Sequence, residues 1–79
     1  MKKIKLDTQK NIVFIEQKEI SYTTDEIDLI SVTDNGTSVT AIISVNGESK
    51  CLILWEGTDY SEIGQWTDND VKNILNEIL

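Results

Sequence analysis

Residues 26–55 read EIDLISVTDNGTSVTAIISVNGESKCLILW and contain two Asn-Gly pairs, at 35–36 and 46–47, each between β-rich runs. Asn-Gly is the strongest short-range signal of a two-residue β-hairpin turn, because both central residues of that turn have positive φ. The two pairs predict a three-stranded antiparallel meander with strands at about 26–34, 37–45 and 48–55.

The apolar pattern supports a specific register. The first turn pairs Val32 with Val39, and the second pairs Val39 with Leu54 and Ala41 with Leu52. Because directly opposite residues share a face of the sheet, these pairings build one apolar face. That predicted face consists of Ile30, Val32, Val39, Ala41, Ile43, Leu52 and Leu54.

The opposite face of the predicted meander is also rich in apolar residues. It holds Ile27, Leu29, Ile42, Cys51, Ile53 and Trp55. A sheet that is wet on one side alternates more cleanly than this, so we expect the second face to be covered. One possible cover is the N-terminal strands, which would give a second small core of Ile12, Phe14, Leu29, Ile42, Ile53 and Trp55. The other is a second subunit.

The N-terminal third predicts two more short strands. Residues 2–6 alternate, with Ile4 and Leu6 on one side, and residues 11–16 contain the apolar run Ile12 to Ile15. The polar residues 7–10 are the predicted turn between them. A short piece at 19–22 could add to a sheet edge, and residues 23–25 are predicted to be a connection.

The C-terminus has helical periodicity. Thr67 is a suitable N-cap with Asp70 at the third helical position, and Trp66 and Val71 have the spacing of a hydrophobic staple. An apolar stripe follows at i, i+3, i+4, i+7 and i+8, which predicts an amphipathic helix that packs on the sheet. The stripe consists of Val71, Ile74, Leu75, Ile78 and Leu79.

These elements predict a single domain over residues 1–79 that is mainly β, in the α+β class. We expect an antiparallel meander of about five strands, sandwich-like or barrel-like, with one C-terminal amphipathic helix. A domain of 79 residues has a marginal core, which favours support from self-association or a partner.

Charge excludes several classes of function. Residues 1–18 hold five lysines against two acids, a net +3, whereas residues 19–79 hold two lysines against twelve acids, a net −10. Direct nucleic-acid binding requires a basic patch, so it is not expected. No apolar run is long enough for a signal peptide or membrane span.

Catalytic chemistry is also not expected. The chain has no His to activate a Ser or the single Cys51, which we expect to be a buried or half-buried strand thiol. Its four glycines are scattered rather than grouped in a phosphate loop. We therefore predict a non-enzymatic protein with no cofactor, no metal and no small-molecule substrate.

The segment 55–70, WEGTDYSEIGQWTDND, concentrates aromatic and acidic residues. A ligand platform, a divalent-cation loop and a glycosidase-like carboxylate pair are three functional interpretations. Packing between sheet and helix is favoured over all three, with a partner-contact surface as the next interpretation. The glycines of this segment are expected to allow tight chain reversals.

The last third of the chain, LWEGTDYSEIGQWTDNDVKNIL (54–75), resembles small bacteriophage-encoded, virion-associated proteins. The shared pattern is a strand ending in Trp-acid-Gly, then Tyr, then Ile-Gly-x-Trp-Thr-Asp before a terminal helix. The matching residues are Trp55, Glu56, Gly57, Tyr60, Ile63, Gly64, Trp66, Thr67 and Asp68. The resemblance implies a structural or assembly role, in a virion or the host cytoplasm, and implies no catalytic residue.

The leading functional hypothesis is a phage structural protein at a capsid surface or head–tail junction. It would contact other virion proteins or further copies of itself through the second sheet face and the 55–66 segment. The hypothetical contacts are Trp55, Glu56, Tyr60, Trp66, Leu29, Ile42 and Ile53.

The alternative is a small acidic inhibitor of a host defence or nucleic-acid enzyme. Its binding would depend steeply on salt, unlike binding through an apolar face. Its hypothetical contacts are Glu19, Asp25, Glu26 and Asp28.

Overall fold

A computed structural model describes residues 2–15 and 20–79 of the chain. Its strands are β1 (Lys2–Ile15), β2 (Ile20–Asp34), β3 (Ser38–Val45) and β4 (Glu48–Glu56). Two helices follow, α1 (Thr58–Ile63) and α2 (Asp68–Ile78). The strands form one antiparallel sheet in the order β1-β2-β3-β4. The mainly β class and the meander are confirmed.

The described residues form four strands where about five were predicted. The predicted turn at 7–10 lies inside β1, which pairs at Lys5↔Glu26 and resumes at Lys10↔Thr24. Between these two pairs, four residues of β1 lie opposite a single residue of β2, Asp25. The polar residues 7–10 are therefore part of an irregular bulge within the strand instead of a turn between two strands. The predicted connection at 23–25 is likewise inside β2. The predicted end of the second strand at Glu16 and the start of the edge piece at Glu19 lie outside the described residues.

The second hairpin has the predicted register near its turn. Asn46 and Gly47 have φ of 52° and 85°, as a two-residue turn requires, and Ala41 pairs with Leu52. The predicted pair of Val39 with Leu54 is wrong, because a bulge places Trp55 opposite Val39.

The first hairpin is shifted from its predicted register. Val32 pairs with Ala41 and Val39 with Asp34, so the turn is centred one residue later than predicted. The Asn35 side chain explains the shift, because its Oδ1 accepts hydrogen bonds from the amides of Thr37 at 2.9 Å and Ser38 at 2.8 Å. The loop is therefore organised by Asn35 rather than by a bare Asn-Gly turn.

Two bulges reassign residues between the faces. The bulge between Leu29 and Ser31 leaves Ile30 unpaired and 44% exposed, and it brings Leu29 opposite Ile43 on the core face. The bulge in β4 likewise brings Trp55 to the core face, opposite Val39. Because side chains alternate with period two, one extra residue moves the rest of the strand to the other face. The predicted positions of Ile30, Leu29 and Trp55 are therefore wrong.

One core forms instead of the two that the N-terminal strands would have built. Ile12 and Trp55 are buried in it, and Phe14 and Leu29 pack against it, whereas Ile42 and Ile53 are 38% and 54% exposed. Among the residues whose burial is described, those buried in this core are Ile4, Leu6, Ile12, Ile27, Val39, Ala41, Ile43, Val45, Leu54, Trp55, Val71 and Leu75.

Helix α2 begins as predicted. The Thr67 hydroxyl accepts from the Asp70 amide at 3.3 Å, and the Asp70 carboxylate accepts from the Thr67 amide at 2.9 Å, which completes a capping box. Val71 and Leu75 reach the sheet core, while Ile78 is 43% exposed. Helix α1 was not predicted, so the described residues form two helices where one was expected.

The sheet is open, with β1 and β4 as its edges. Helix α2 packs against both edge strands, and Lys50 Nζ of β4 donates to the Val13 carbonyl of β1 at 2.9 Å. The sheet therefore curls around one core, although the ladder does not close into a barrel among the described strands.

Candidate interaction surfaces

Asp34 connects the first hairpin to the C-terminal segment. Its Oδ1 accepts from the Tyr60 hydroxyl at 2.7 Å and from the Gly36 amide at 2.9 Å. Its Oδ2 accepts from Trp66 Nε1 at 3.0 Å. One exposed carboxylate at the end of β2 thus holds α1, the segment before α2 and its own turn together.

The hydrogen bonds to Asp34 shift two pKa values in opposite directions. The Tyr60 hydroxyl, the Gly36 amide and the Trp66 indole lower the pKa of Asp34, because they stabilise its charged form. The same carboxylate raises the pKa of Tyr60, because it accepts a hydrogen bond from the neutral phenol and its charge disfavours the phenolate. The pair is therefore a structural connection that favours an ionised Asp34 and a neutral Tyr60.

The aromatic side chains of the 55–70 segment are engaged in packing. Trp55 is 7% exposed and lies 6.1 Å from Trp66 between ring centroids, and Tyr60 and Trp66 are half-buried against the core. Tyr60 and Trp66 also donate hydrogen bonds to the Asp34 carboxylate. The favoured packing interpretation therefore describes the environment of all three, while Glu56 is exposed at the end of β4.

Glycines shape the same segment. Gly57 and Gly64 flank α1 with φ of 58° and 60° and ψ of −127° and −124°. This region of backbone space is accessible to glycine and costly for residues with a Cβ. The prediction that these glycines reverse the chain is in line with this geometry. The backbone geometry around α1 thus gives a structural reason for both glycines.

The sheet surface that faces away from the core, here called the outer face, is centred on Ile42 and Ile53. Their ladder partners are Ser31, Cys51 and Thr40. Charged residues lie at one end of this face, where Lys3 and Glu26 pair at 3.2 Å. The predicted burial of Cys51 is wrong: the thiol is exposed, because it projects from the outer face of edge strand β4.

The acidic contacts predicted for an inhibitor are partly occupied within the chain. Lys3 Nζ lies 3.2 Å from Glu26 and 3.7 Å from Asp28, and Lys5 Nζ lies 3.8 Å from Asp25. These pairs are exposed, so each contributes little stability, but they reduce the net charge of the surface. Glu19 lies outside the described residues.

A groove between α1, α2 and the end of β4 was not predicted from the sequence. This acidic groove has a volume of about 330 Å³ and is lined by four apolar and three acidic side chains. They are Leu54, Trp55, Ile63, Ile74, Asp59, Glu62 and Glu77. The acids of α1 were visible in the sequence, but their grouping with Glu77 depends on how the two helices sit around Trp55.

The described residues show no group of three or more His, Cys, Asp or Glu side chains placed to hold a metal ion. None of the helices in this part of the chain has the length and apolar character needed to span a membrane.

No protein-family model, curated protein or solved structure gives a significant match to this chain. The outer face, the acidic groove and the packing around Asp34 are the features of this chain that bear on its function.

Proposed function

We propose that this chain is a non-enzymatic structural or assembly protein that self-associates through its outer face. The observation that carries the proposal is a pair of neighbouring strands with exposed isoleucines, Ile42 at 38% and Ile53 at 54%. Fully burying a large aliphatic side chain is worth about 1.5–3 kcal/mol, and each of these isoleucines would contribute the part of that energy that corresponds to its exposed area.

A second copy is the occupant that the charge distribution favours. The chain carries a net charge of −7, and a two-fold contact between acidic surfaces would be repulsive. The residues paired with Ile42 and Ile53 are uncharged, so the centre of the outer face can meet itself without opposing like charges. The same patch on both partners is what a two-fold dimer requires.

A virion or assembly setting in a phage-infected cell is part of the same proposal. It is supported by the likeness of the tail pattern to small phage proteins and by the packing role of its aromatic and glycine residues. In that setting the copies would contact one another or other virion proteins. The exposed Glu56, beside the buried Trp55, belongs to the surface available for such contacts.

The test compares the wild type with the double variant Ile42→Thr/Ile53→Thr. Threonine remains β-branched, so strand propensity is kept while apolar contact area is removed. By light scattering or sedimentation, we expect the wild type to exceed the 8.9 kDa monomer mass. The double variant should dissociate at least about tenfold more readily.

The matched control is Ile78→Thr, which changes an isoleucine of similar exposure on α2 instead of the sheet. It should leave the association unchanged, and circular dichroism should show the same fold for all proteins. A wild type that sediments as a monomer of 8.9 kDa at all accessible concentrations would refute self-association.

The second candidate is the small acidic inhibitor of a host defence or nucleic-acid enzyme. It is favoured by Asp59, Glu62 and Glu77, which form no ion pair with the lysines of the described residues. Binding of such an enzyme would weaken steeply as salt is raised. Self-association through the uncharged outer face would not, so salt dependence separates the two candidates.

A further inference from the structure

The acidic groove combines an apolar floor with carboxylates of one sign. Leu54 and Trp55 of β4 form part of the floor, and Ile63 and Ile74 contribute from the two helices. A smaller depression of about 140 Å³ shares Trp55, Ile63 and Ile74 and adds Asp70. The volume of the acidic groove, about 330 Å³, is at the lower end of the range of about 300 to 1,000 Å³ for small-molecule pockets, and it is enough for one or two inserted side chains.

The acids of the rim carry charges that no described lysine neutralises. Asp59 and Glu62 project from α1, and Glu77 projects from the last turn of α2. Glu77 there also faces the negative end of the helix dipole, which makes an added cation favourable. A ligand that placed cations beside an apolar anchor would satisfy both parts of the groove.

Four of the seven lysines of the chain are already engaged within it. Lys2 pairs with Asp68 at 3.0 Å, Lys3 with Glu26, and Lys5 with Asp25. Lys50 donates a hydrogen bond to the Val13 carbonyl. Because the chain carries a net charge of −7, a second copy would bring more acids than cations to the groove, which favours another protein as the occupant.

We propose that the acidic groove binds a basic amphipathic peptide segment of another protein. One large apolar side chain of that segment would insert against Trp55, Ile63 and Ile74. Lysine or arginine side chains on either side of it would lie against Asp59, Glu62 and Glu77. This surface is separate from the outer face, so the inference does not depend on self-association.

The probe is a fluorescein-labelled peptide with two lysines on each side of a central leucine, titrated with the full chain and followed by fluorescence anisotropy. A second peptide has serine in place of the leucine. We expect the serine peptide to bind at least about fivefold more weakly, because it loses the apolar insertion. Both affinities should fall when salt is raised from about 50 to about 300 mM.

The matched protein variants are Glu62→Gln, in the groove, and Glu48→Gln, at the opposite end of β4. Both remove one negative charge. We expect Glu62→Gln to weaken the leucine peptide about two- to fivefold, the range for an exposed charge pair, and Glu48→Gln to leave it unchanged. Ile42→Thr/Ile53→Thr should also leave it unchanged, which separates this inference from the proposed function.

Three results would overturn the inference. One is equal binding of the leucine and serine peptides, which would mean attraction to net charge alone. Another is an equal effect of Glu62→Gln and Glu48→Gln. The third is a change in the molar mass of the chain with Glu62→Gln, which would place a second copy in the groove.

Discussion

At the scale of single residues, the exposed carboxylate of Asp34 connects three parts of the molecule. It accepts hydrogen bonds from the next turn, from α1 and from the residue before the N-cap of α2. Charge-assisted hydrogen bonds are stronger than neutral ones, so the ionised carboxylate is the form that holds these elements. The connection through Asp34 is therefore expected to weaken when the carboxylate is protonated.

Asp34→Asn should lower the thermal unfolding midpoint at neutral pH. Both oxygens of the carboxylate accept hydrogen bonds, whereas an asparagine amide has only one acceptor oxygen. Since folding lowers the pKa of Asp34, its stabilising contribution is present above the ordinary value of 3.8 and is lost as the pH falls through the folded-state pKa. The difference in midpoint between wild type and variant should therefore shrink in acid.

Circular dichroism melts from about pH 7 to about pH 2 measure this difference. The control is Asp59→Asn, whose carboxylate accepts no hydrogen bond from the described residues. A difference for Asp34→Asn that stays constant down to the lowest pH would show that the carboxylate charge does not stabilise the fold.

At the scale of elements, the sequence was informative where a local signal sets the geometry. The Asn46-Gly47 turn and the Thr67 cap lie where predicted, because each depends on a few neighbouring residues. The bulges at Ile30 and Leu54 have no such local signal. They arise because the strands must curl around one core, and each moved an adjacent hydrophobic residue to the other face.

The cap of α2 gives a prediction at this scale. Thr67→Ala should reduce the free energy of unfolding by about 1 kcal/mol, because the Asp70 amide loses its acceptor. Thr67→Ser keeps a hydroxyl at the same position and should restore most of the loss. Urea denaturation followed by tryptophan fluorescence measures both. Equal stability of the alanine and serine variants would mean that the capping box contributes nothing.

At the scale of the whole molecule, the curled sheet explains why the candidate surfaces were only partly predictable. Ile42 and Ile53 were identified as a possible contact face from period-two alternation, and they are exposed. The acidic groove was missed because it joins Leu54 of β4 to Glu77 of α2 through tertiary packing. Local patterns identify the face of a strand, whereas a groove between elements requires their relative placement.

The fold as a whole depends on its final helix, α2. Leu75 of α2 is fully buried in the cluster that includes Val39 and Ala41, whereas Ile78, on the same helix, is 43% exposed. Leu75→Ala should cost about 2–5 kcal/mol, because it removes transfer energy and leaves a cavity. The free energy of unfolding of a domain of this size is about 4–12 kcal/mol in total, so one substitution would remove a large share of its stability.

The control is Ile78→Ala, which should cost under about 1 kcal/mol, because the Ile78 side chain is already partly in water. Urea denaturation of both variants tests the assignment, and equal losses would mean that α2 is not anchored through Leu75.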